Sequence, residues 1–269
     1  TLHNTLFPYT TLFRSRNTNA IAIAPMILIL GYLLVAGSSR QCTIGAAADR
    51  MPPAAVVRPA WYHARVGKSI TRQEDTMTKY INPVREALLQ RTVSLGSWIQ
   101  CGNAATAEIF AHCGFDWIAV DCEHSDIDVA LASDIFRGMQ GSGVVPFARV
   151  RENDTLAIRQ MLDAGAMGVI VPLVSTAEEA KRAVAAAKYP PVGVRGFGFA
   201  RMNVWGMDFD EYVAAANDNI AVVVMIESKE GVENIQSILA VDGVDGVFIG
   251  PYDLSGSYGM PGALEHDVV

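Results

Sequence analysis

Cysteine is scarce in this chain. Four are spread over 269 residues, at Cys42, Cys101, Cys113 and Cys122, and no pair has C-x-x-C spacing. This argues against a disulfide framework or a cysteine-built zinc site and fits reduced thiols in a cytoplasmic protein. Basic residues are also scarce over most of the chain. Residues 77–269 hold 13 Lys and Arg against 25 Asp and Glu, a net of −12. No basic stripe is available there to displace counterions, so a nucleic-acid partner is not expected. Residues 1–76 hold 8 Lys and Arg against 3 Asp and Glu, a net of +5, and the two values sum to the −7 of the whole chain. Two unlike segments are joined near residue 76.

The first segment reads poorly as protein. Residues 5–15, TLFPYTTLFRS, match the translation of a common sequencing-library adapter at all eleven positions, and they are set aside from fold reasoning. Residues 20–37, AIAIAPMILILGYLLVAG, are apolar with a basic flank and a small-residue end. In-frame upstream DNA is preferred there to a signal peptide or short membrane anchor. Residues 38–76 show neither a helical nor a strand period. The expected division is a non-native leader over 1–76 and an incomplete barrel domain over 77–269, with no membrane partner for that domain. It opens at Met77 with a leading helix, MTKYINPVREALLQ.

From residue 93 onward, strand and helix patterns alternate with short connections. Strands are expected at 93–100, 115–124, 144–150, 166–174, briefly near Val194, at 220–228 and at 245–255. Helices are expected at 104–114, closed by Gly114, at 127–140, and at 154–165 between Asp154 as N-cap and Gly165 as C-cap. Three more follow, one opened by Ser175 and Glu178 at capping-box spacing, one at 209–217 and one at 229–240. Near-continuous apolar strands between amphipathic helices imply an α/β fold with a parallel sheet buried on both faces. Seven such units predict a (β/α)8 TIM barrel truncated before its eighth strand, with a doubly wound open sheet as the runner-up.

In a barrel, chemistry gathers at the carboxyl ends of the strands. Those ends carry Trp98 and Gln100, then Asp121, Glu123 and His124, then Arg149, Glu227 and Asp253. Singly, each acid reads as well as a cap for the following helix; together on one rim they read as a site. Glu227 and Asp253 on neighbouring strands suit a hard cation, Mg²⁺ or Mn²⁺, better than zinc. Arg149 suits a carboxylate or enolate oxygen. His124 is the natural base, with Asp121 close enough to orient it. Trp98 divides evenly between core and site. No expected strand carries a lysine, so a Schiff-base route has no nucleophile. GVRGFGF, residues 193–199, lacks the strand–turn–helix context of a phosphate loop and reads as a rim loop from which Arg195 reaches the substrate. His112 is expected to be structural, and Cys122 to pack behind its strand.

With these residues in view, positions from about 90 to 262 resemble the HpcH/HpaI aldolase family, class II metal-dependent pyruvate aldolases on a (β/α)8 barrel. The motifs that carry the resemblance are GFDWIAVDCEH, PFARV, YPPVGVRGFG, VMIESKEGVENI and GVDGVFIGPYDLSGSYGMPG. The resemblance implies that His124, paired with Asp121, serves as or positions the base and that Arg149 stabilises a pyruvate enolate. It implies that Glu227 and Asp253 bind a divalent metal, Mg²⁺ or Mn²⁺ with Co²⁺ admitted. Backbone N–H groups from Gly250 to Asp253, around Tyr252, would hold the pyruvate carboxylate. It also implies a homo-oligomer, hexameric with an exchanged C-terminal helix. Tyr252 stands where alanine is common and is expected to narrow the pocket or alter the acceptor, and Cys122 stands where a small residue is frequent. The eighth strand and the exchanged helix are not found, which leaves two sheet edges open.

The expected reaction is therefore reversible, metal-dependent aldol cleavage of a 4-hydroxy-2-oxo acid. Its small-molecule partners are a 2-oxo acid, pyruvate, and an aldehyde. Two alternatives stand beside it. One is a CoA-thioester lyase of the citrate lyase β or malyl-CoA lyase type, which the short rim loops disfavour. The other is an inactive fragment.

Overall fold

Short runs of Val, Ile and Ala between polar turns form strands here because branched side chains pack well on a pleated surface buried on both sides. The computed structural model describes residues 80–269 and the backbone of 11–13. Packing divides the chain into Thr1–Gly31 with Thr78–Val269, and Tyr32–Met77. The apolar stretch 20–37, residues 38–76 and the start at Met77 lie outside the described residues.

The strands are β1 (Thr11–Phe13), β2 (Gly96–Ile99), β3 (Trp117–Asp121), β4 (Val145–Arg149), β5 (Gly168–Val171), β6 (Ala221–Ile226) and β7 (Gly246–Ile249). The helices are α1 (Pro83–Gln90), α2 (Ala104–Ala111), α3 (Val129–Gly138), α4 (Thr155–Ala164), α5 (Ala177–Ala187), α6 (Phe209–Asn219), α7 (Lys229–Glu233), α8 (Ile235–Leu239) and α9 (Pro251–Ser257). From β2 to β7 the strands pair in parallel, each with its neighbour in sequence. A doubly wound sheet reverses its strand order at a switch point. Strictly sequential pairing instead is the winding of a (β/α)8 barrel, here a curled sheet of six parallel strands. Residues 11–13, set aside in the sequence reading, pair antiparallel with β7, Leu12 opposite Val247.

Alternation sorts the side chains. Ile118, Val120, Val169, Val171, Val222 and Val224 face the helices and join Ile135, Phe136, Ile158 and Leu162 in the larger core cluster. Trp117, Ala119, Val145, Phe147, Ile170, Val223, Met225 and Phe248 face the concave side in a second cluster. Each Val, Leu, Ile, Phe or Met side chain among them, fully buried, contributes about 1.5–3 kcal/mol. Phe147 fits because β5 begins with glycine: a Cβ on Gly168 would lie 2.2 Å from the Phe147 ring.

The leading helix closes the amino-terminal end of this interior. Val84 and Leu88 of α1 enter the concave cluster. Asn82 caps the helix by accepting from the N–H groups of Val84 and Arg85, at 3.1 and 3.0 Å. Its amide donates to the Met167 carbonyl at 2.8 Å, just before β5. Arg85 pairs with buried Asp245 at 2.9 Å, just before β7.

Three expectations are corrected, and the first is the strand expected at 245–255, which stops at Ile249 and gives way to α9. The brief strand near Val194 does not form, because β5 pairs directly with β6, Gly168 opposite Ala221. The chain there folds back on the end of α5, with Val194 N–H donating to Ala185 O at 2.7 Å and Arg195 N–H to Lys188 O at 2.9 Å. The capping box of α5 uses Thr176 and Glu179, one residue beyond Ser175 and Glu178. Asp154 and Gly165 cap α4 as expected. Among the described residues, no helix is long and apolar enough to cross a membrane.

Candidate active site

The concave alternation continues past the carboxyl ends of the strands into polar residues. Trp98 is followed by Gln100, Ala119 by Asp121, Phe147 by Arg149, Met225 by Glu227, and Phe248 by Gly250. A period of two thus brings an amide, two acids and a guanidinium onto one rim. Asp121 lies directly opposite Arg149 in the pairing of β3 with β4.

Asp121 is the fully buried hub. Arg149 grips it with two donors, Nε to Oδ1 at 2.8 Å and Nη2 to Oδ2. Gln100 Nε2 donates to Oδ2 at 2.7 Å, and the backbone N–H groups of Glu123 and His124 donate to Oδ1 at 3.1 and 3.2 Å. Burial alone would push this carboxyl up; the Arg149 and Gln100 hydrogen bonds and the Arg149 charge outweigh it and hold it below the usual range. The guanidinium lies over Trp98, 5.2 Å from the ring centroid. Trp98 itself packs edge-on against Phe248 at 5.5 Å and Trp117 at 6.4 Å. It packs against the concave cluster and lies beneath the Arg149 guanidinium.

The strand ends at Asp121, so Glu123 and His124 lie on the loop beyond it. The carboxylate of Asp121 meets His124 only through the backbone, which corrects the expected side-chain pair. The imidazole is exposed, and its nearest acid is Glu123, Nε2 to Oε2 at 3.8 Å. Glu123 Oε2 also lies 3.2 Å from Arg149 Nη1, yet this buried atom makes no hydrogen bond. Burial raises the Glu123 carboxyl, against the pull of Arg149 and His124.

Glu227 ends the apolar run of β6 and is 5% exposed. Its Oε1 accepts the Leu173 N–H at 2.6 Å, an N–H turned inward because Leu173 has the left-handed φ of 55°. Burial raises the Glu227 carboxyl, and the charges of Glu123 and Asp253 raise it further against the Leu173 bond and Arg149. Gly250 leaves room for it: a Cβ there would lie 2.7 Å from Glu227 Oε2. Asp253 and Tyr252 are exposed in the first turn of α9.

Arg195 does not reach this rim. It is fully buried among the helices, donating to Asp163 at 2.8 Å and Tyr212 at 2.9 Å and lying over Tyr189. The thiol of Cys122 packs in the helix-side core, where burial pushes it up to about 11. Cys101, Cys113 and Cys122 are free. The sequence marks Gln100 only as a strand end and Glu123 only as one acid among several, and it carries no signal for the Leu173 N–H. Among the described residues, no three His, Cys, Asp or Glu side chains could hold a metal by themselves.

A family model described as HpcH/HpaI aldolase/citrate lyase matches residues 94–269. A 5-keto-4-deoxy-D-glucarate aldolase of Salmonella paratyphi A is 39% identical over 186 residues, 69% of this chain and 72% of that protein. The crystal structure of an HpcH/HpaI aldolase/citrate lyase family protein from Burkholderia cenocepacia J2315 superposes with a TM-score of 0.65 at 34% identity, covering 70% of this chain and 76% of that one. The crystal structure of citrate synthase SbnG superposes with a TM-score of 0.61 at 29% identity, covering 68% and 71%.

Proposed function

Because this chain belongs to the HpcH/HpaI aldolase/citrate lyase family and is a lyase of the aldolase kind, we propose that it cleaves a 4-hydroxy-2-oxo acid reversibly to pyruvate and an aldehyde. The observation that carries the reading is a guanidinium fixed at the rim by the buried Asp121 carboxylate, beside a buried Glu227 whose proton is held too tightly for an isolated carboxylate.

Glu227 and Asp253 would hold the divalent cation. Two carboxylates suffice for an ion of the Mg²⁺ or Mn²⁺ type that keeps waters and takes substrate oxygens, with Co²⁺ admitted. The repulsion Glu227 feels from Glu123 and Asp253 is what a cation there would relieve. When bound, the ion supplies Lewis-acid polarisation of the 2-oxo group.

The remaining roles belong to the chain. Arg149 presents its outer N–H to the oxygen that gains charge as the carbon–carbon bond breaks, and Asp121 and Trp98 keep it from turning away. His124, through a water, takes the proton of the 4-hydroxyl, with Glu123 as the acid nearest its ring. Backbone N–H groups between Gly250 and Asp253 orient the carboxylate of the 2-oxo acid. Tyr252 narrows the mouth where the aldehyde half enters. A diacid such as that named for the Salmonella relative would break between its third and fourth carbons, giving pyruvate and a hydroxylated three-carbon semialdehyde.

The test is pyruvate release by the full chain from 5-keto-4-deoxy-D-glucarate and from simpler 4-hydroxy-2-oxo acids, with Mg²⁺ and after chelation. Cleavage that stops on chelation and returns with the ion supports the reading. Cleavage of CoA thioesters alone would move the assignment to the citrate lyase side of the family. We further propose a homo-oligomer, hexameric in form, and a cytoplasmic setting for the domain from residue 77; light scattering on the full chain tests the first.

A further inference from the structure

At the other end of the sheet a cavity of about 390 Å³ lies against the turns that lead into β5 and β6. Glu227 is six residues along β6 from Ala221, so the two places are about 20 Å apart at 3.3 Å per residue. The lining has a composition of its own. Among the described residues, Arg137 and Arg201 both contribute, and no acid, lysine, histidine or cysteine does. Arg201 donates to Ala164 O at 3.0 Å and Gln140 Oε1 at 3.3 Å and, among the described residues, meets no carboxylate. Among the described residues, Arg137 pairs only with Asp134 on its own exposed helix face. Burial and the Arg137 charge both pull the Arg201 guanidinium down. Within a domain of net charge −12, the described lining carries two guanidinium groups and no acid, and the nearby Asp208 carboxylate is engaged by the Tyr80 hydroxyl at 3.0 Å.

The rest of the described lining is mostly apolar and aromatic, including Tyr80, Met202 and Trp205, with the amides of Gln140 and Asn219 among them. Its wall is held under strain. Val204 and Trp205 take successive left-handed φ values of 52° and 58°, a conformation that a β-branched residue rarely adopts. Buried Asn203 enforces it: Oδ1 accepts from Ala200 and Gly206, each at 3.0 Å, and Nδ2 donates to Gly198 O at 2.7 Å. The strained turn leaves the Trp205 ring largely exposed on the cavity wall.

We propose that this cavity is a second ligand site that takes a small organic anion with a flat apolar body, of the size of an aromatic carboxylate. The carboxylate pairs with Arg201 and Arg137, and the ring lies against Trp205 and Met202. The volume falls at the lower end of small-molecule sites. Among the described residues the lining holds no carboxylate, thiol or imidazole, and the site binds its ligand and leaves it unchanged. It stands independently of the aldolase chemistry.

Benzoate is the probe, with benzyl alcohol and inorganic phosphate as controls, in calorimetric titration and thermal unfolding of the full chain. Saturable benzoate binding with a raised midpoint is expected, with neither control matching it. Arg201→Gln should weaken binding at least tenfold. Since Arg201 also holds Ala164 O, two rim variants carry the same test without that contact: Arg137→Gln, and Trp205→Asn, which tolerates a left-handed φ. His124→Ala, an exposed change at the catalytic rim, should leave benzoate affinity unchanged. No benzoate binding, an equal response to phosphate, indifference to all three cavity variants, or loss in His124→Ala would each overturn the assignment.

Discussion

Asp121→Asn is the most informative single change at the rim. The carboxylate receives five hydrogen bonds, two from Arg149, one from Gln100 and two from the backbone. The amide keeps one acceptor oxygen and turns donors toward donors at the other position, while Arg149 loses its counter-charge. Breaking a buried ion pair from one side costs about 3–5 kcal/mol. Glu123, 3.2 Å from Arg149 Nη1, supplies some residual compensation, so about 3 kcal/mol is expected. In a domain of this size that lowers the melting midpoint by roughly 6–12 °C. The assay is urea unfolding of the full chain, run as a double-mutant cycle with Arg149→Met. Once Arg149 is gone, Asp121→Asn should cost about 2 kcal/mol less than it does in the unmodified protein. There is a pH arm too. Because the folded Asp121 carboxyl lies below its unfolded value, its contribution is present above about pH 4 and lost as pH falls through the folded value. Asp121→Asn should lack that acid-side loss. A cost within about 0.5 kcal/mol of zero, or strict additivity with Arg149→Met, would refute the hub.

Glu227→Gln should stabilise the fold while abolishing turnover. The native carboxyl binds its proton more tightly than the unfolded one, so its share of stability falls as pH rises from the ordinary carboxylate range through the raised folded value; the amide removes that loss and keeps an oxygen for the Leu173 N–H, and thermal melts near pH 7.5 check it. His124→Ala should lower kcat by about 10²–10⁴ and change stability by less than about 0.5 kcal/mol, since the side chain is exposed; full activity would remove its role as base. Thr176→Ala should cost about 1 kcal/mol in urea unfolding through loss of the α5 cap, whereas equal stability would return the cap to Ser175.

Much of the rim was legible because a period of two is read directly from sequence. Once Trp98, Asp121, Arg149 and Glu227 are seen to end apolar runs, their common face follows. What failed was long-range or degenerate. STAEEA contains two overlapping capping boxes, and local chemistry cannot choose between them. The choice is tertiary: Ser175 Oγ is engaged by Ser228 Oγ at 2.6 Å, which leaves Thr176 to cap. Arg195 sits in a glycine-rich stretch that reads as an exposed loop, yet Asp163, 32 residues earlier, and Tyr212, 17 residues later, draw it into the helix layer. Val194 lies in an alternation that mimics a strand, but the turn after α5 takes its backbone N–H. The link between Asp121 and His124 was inferred from adjacency, whereas the strand ends at Asp121 and the turn that follows leaves the imidazole near Glu123.

The central claim is that this rim enolises pyruvate, and exchange of the pyruvate methyl protons for deuterium tests it without knowledge of the aldehyde. Proton NMR of pyruvate in D₂O with the full chain should show the methyl signal decay with Mg²⁺ or Mn²⁺, stop on chelation, and slow by about 10²–10³ in Arg149→Ala. A folded, cation-loaded protein that leaves the methyl signal intact, or an Arg149→Ala variant that exchanges as fast as the unmodified chain, would contradict the account.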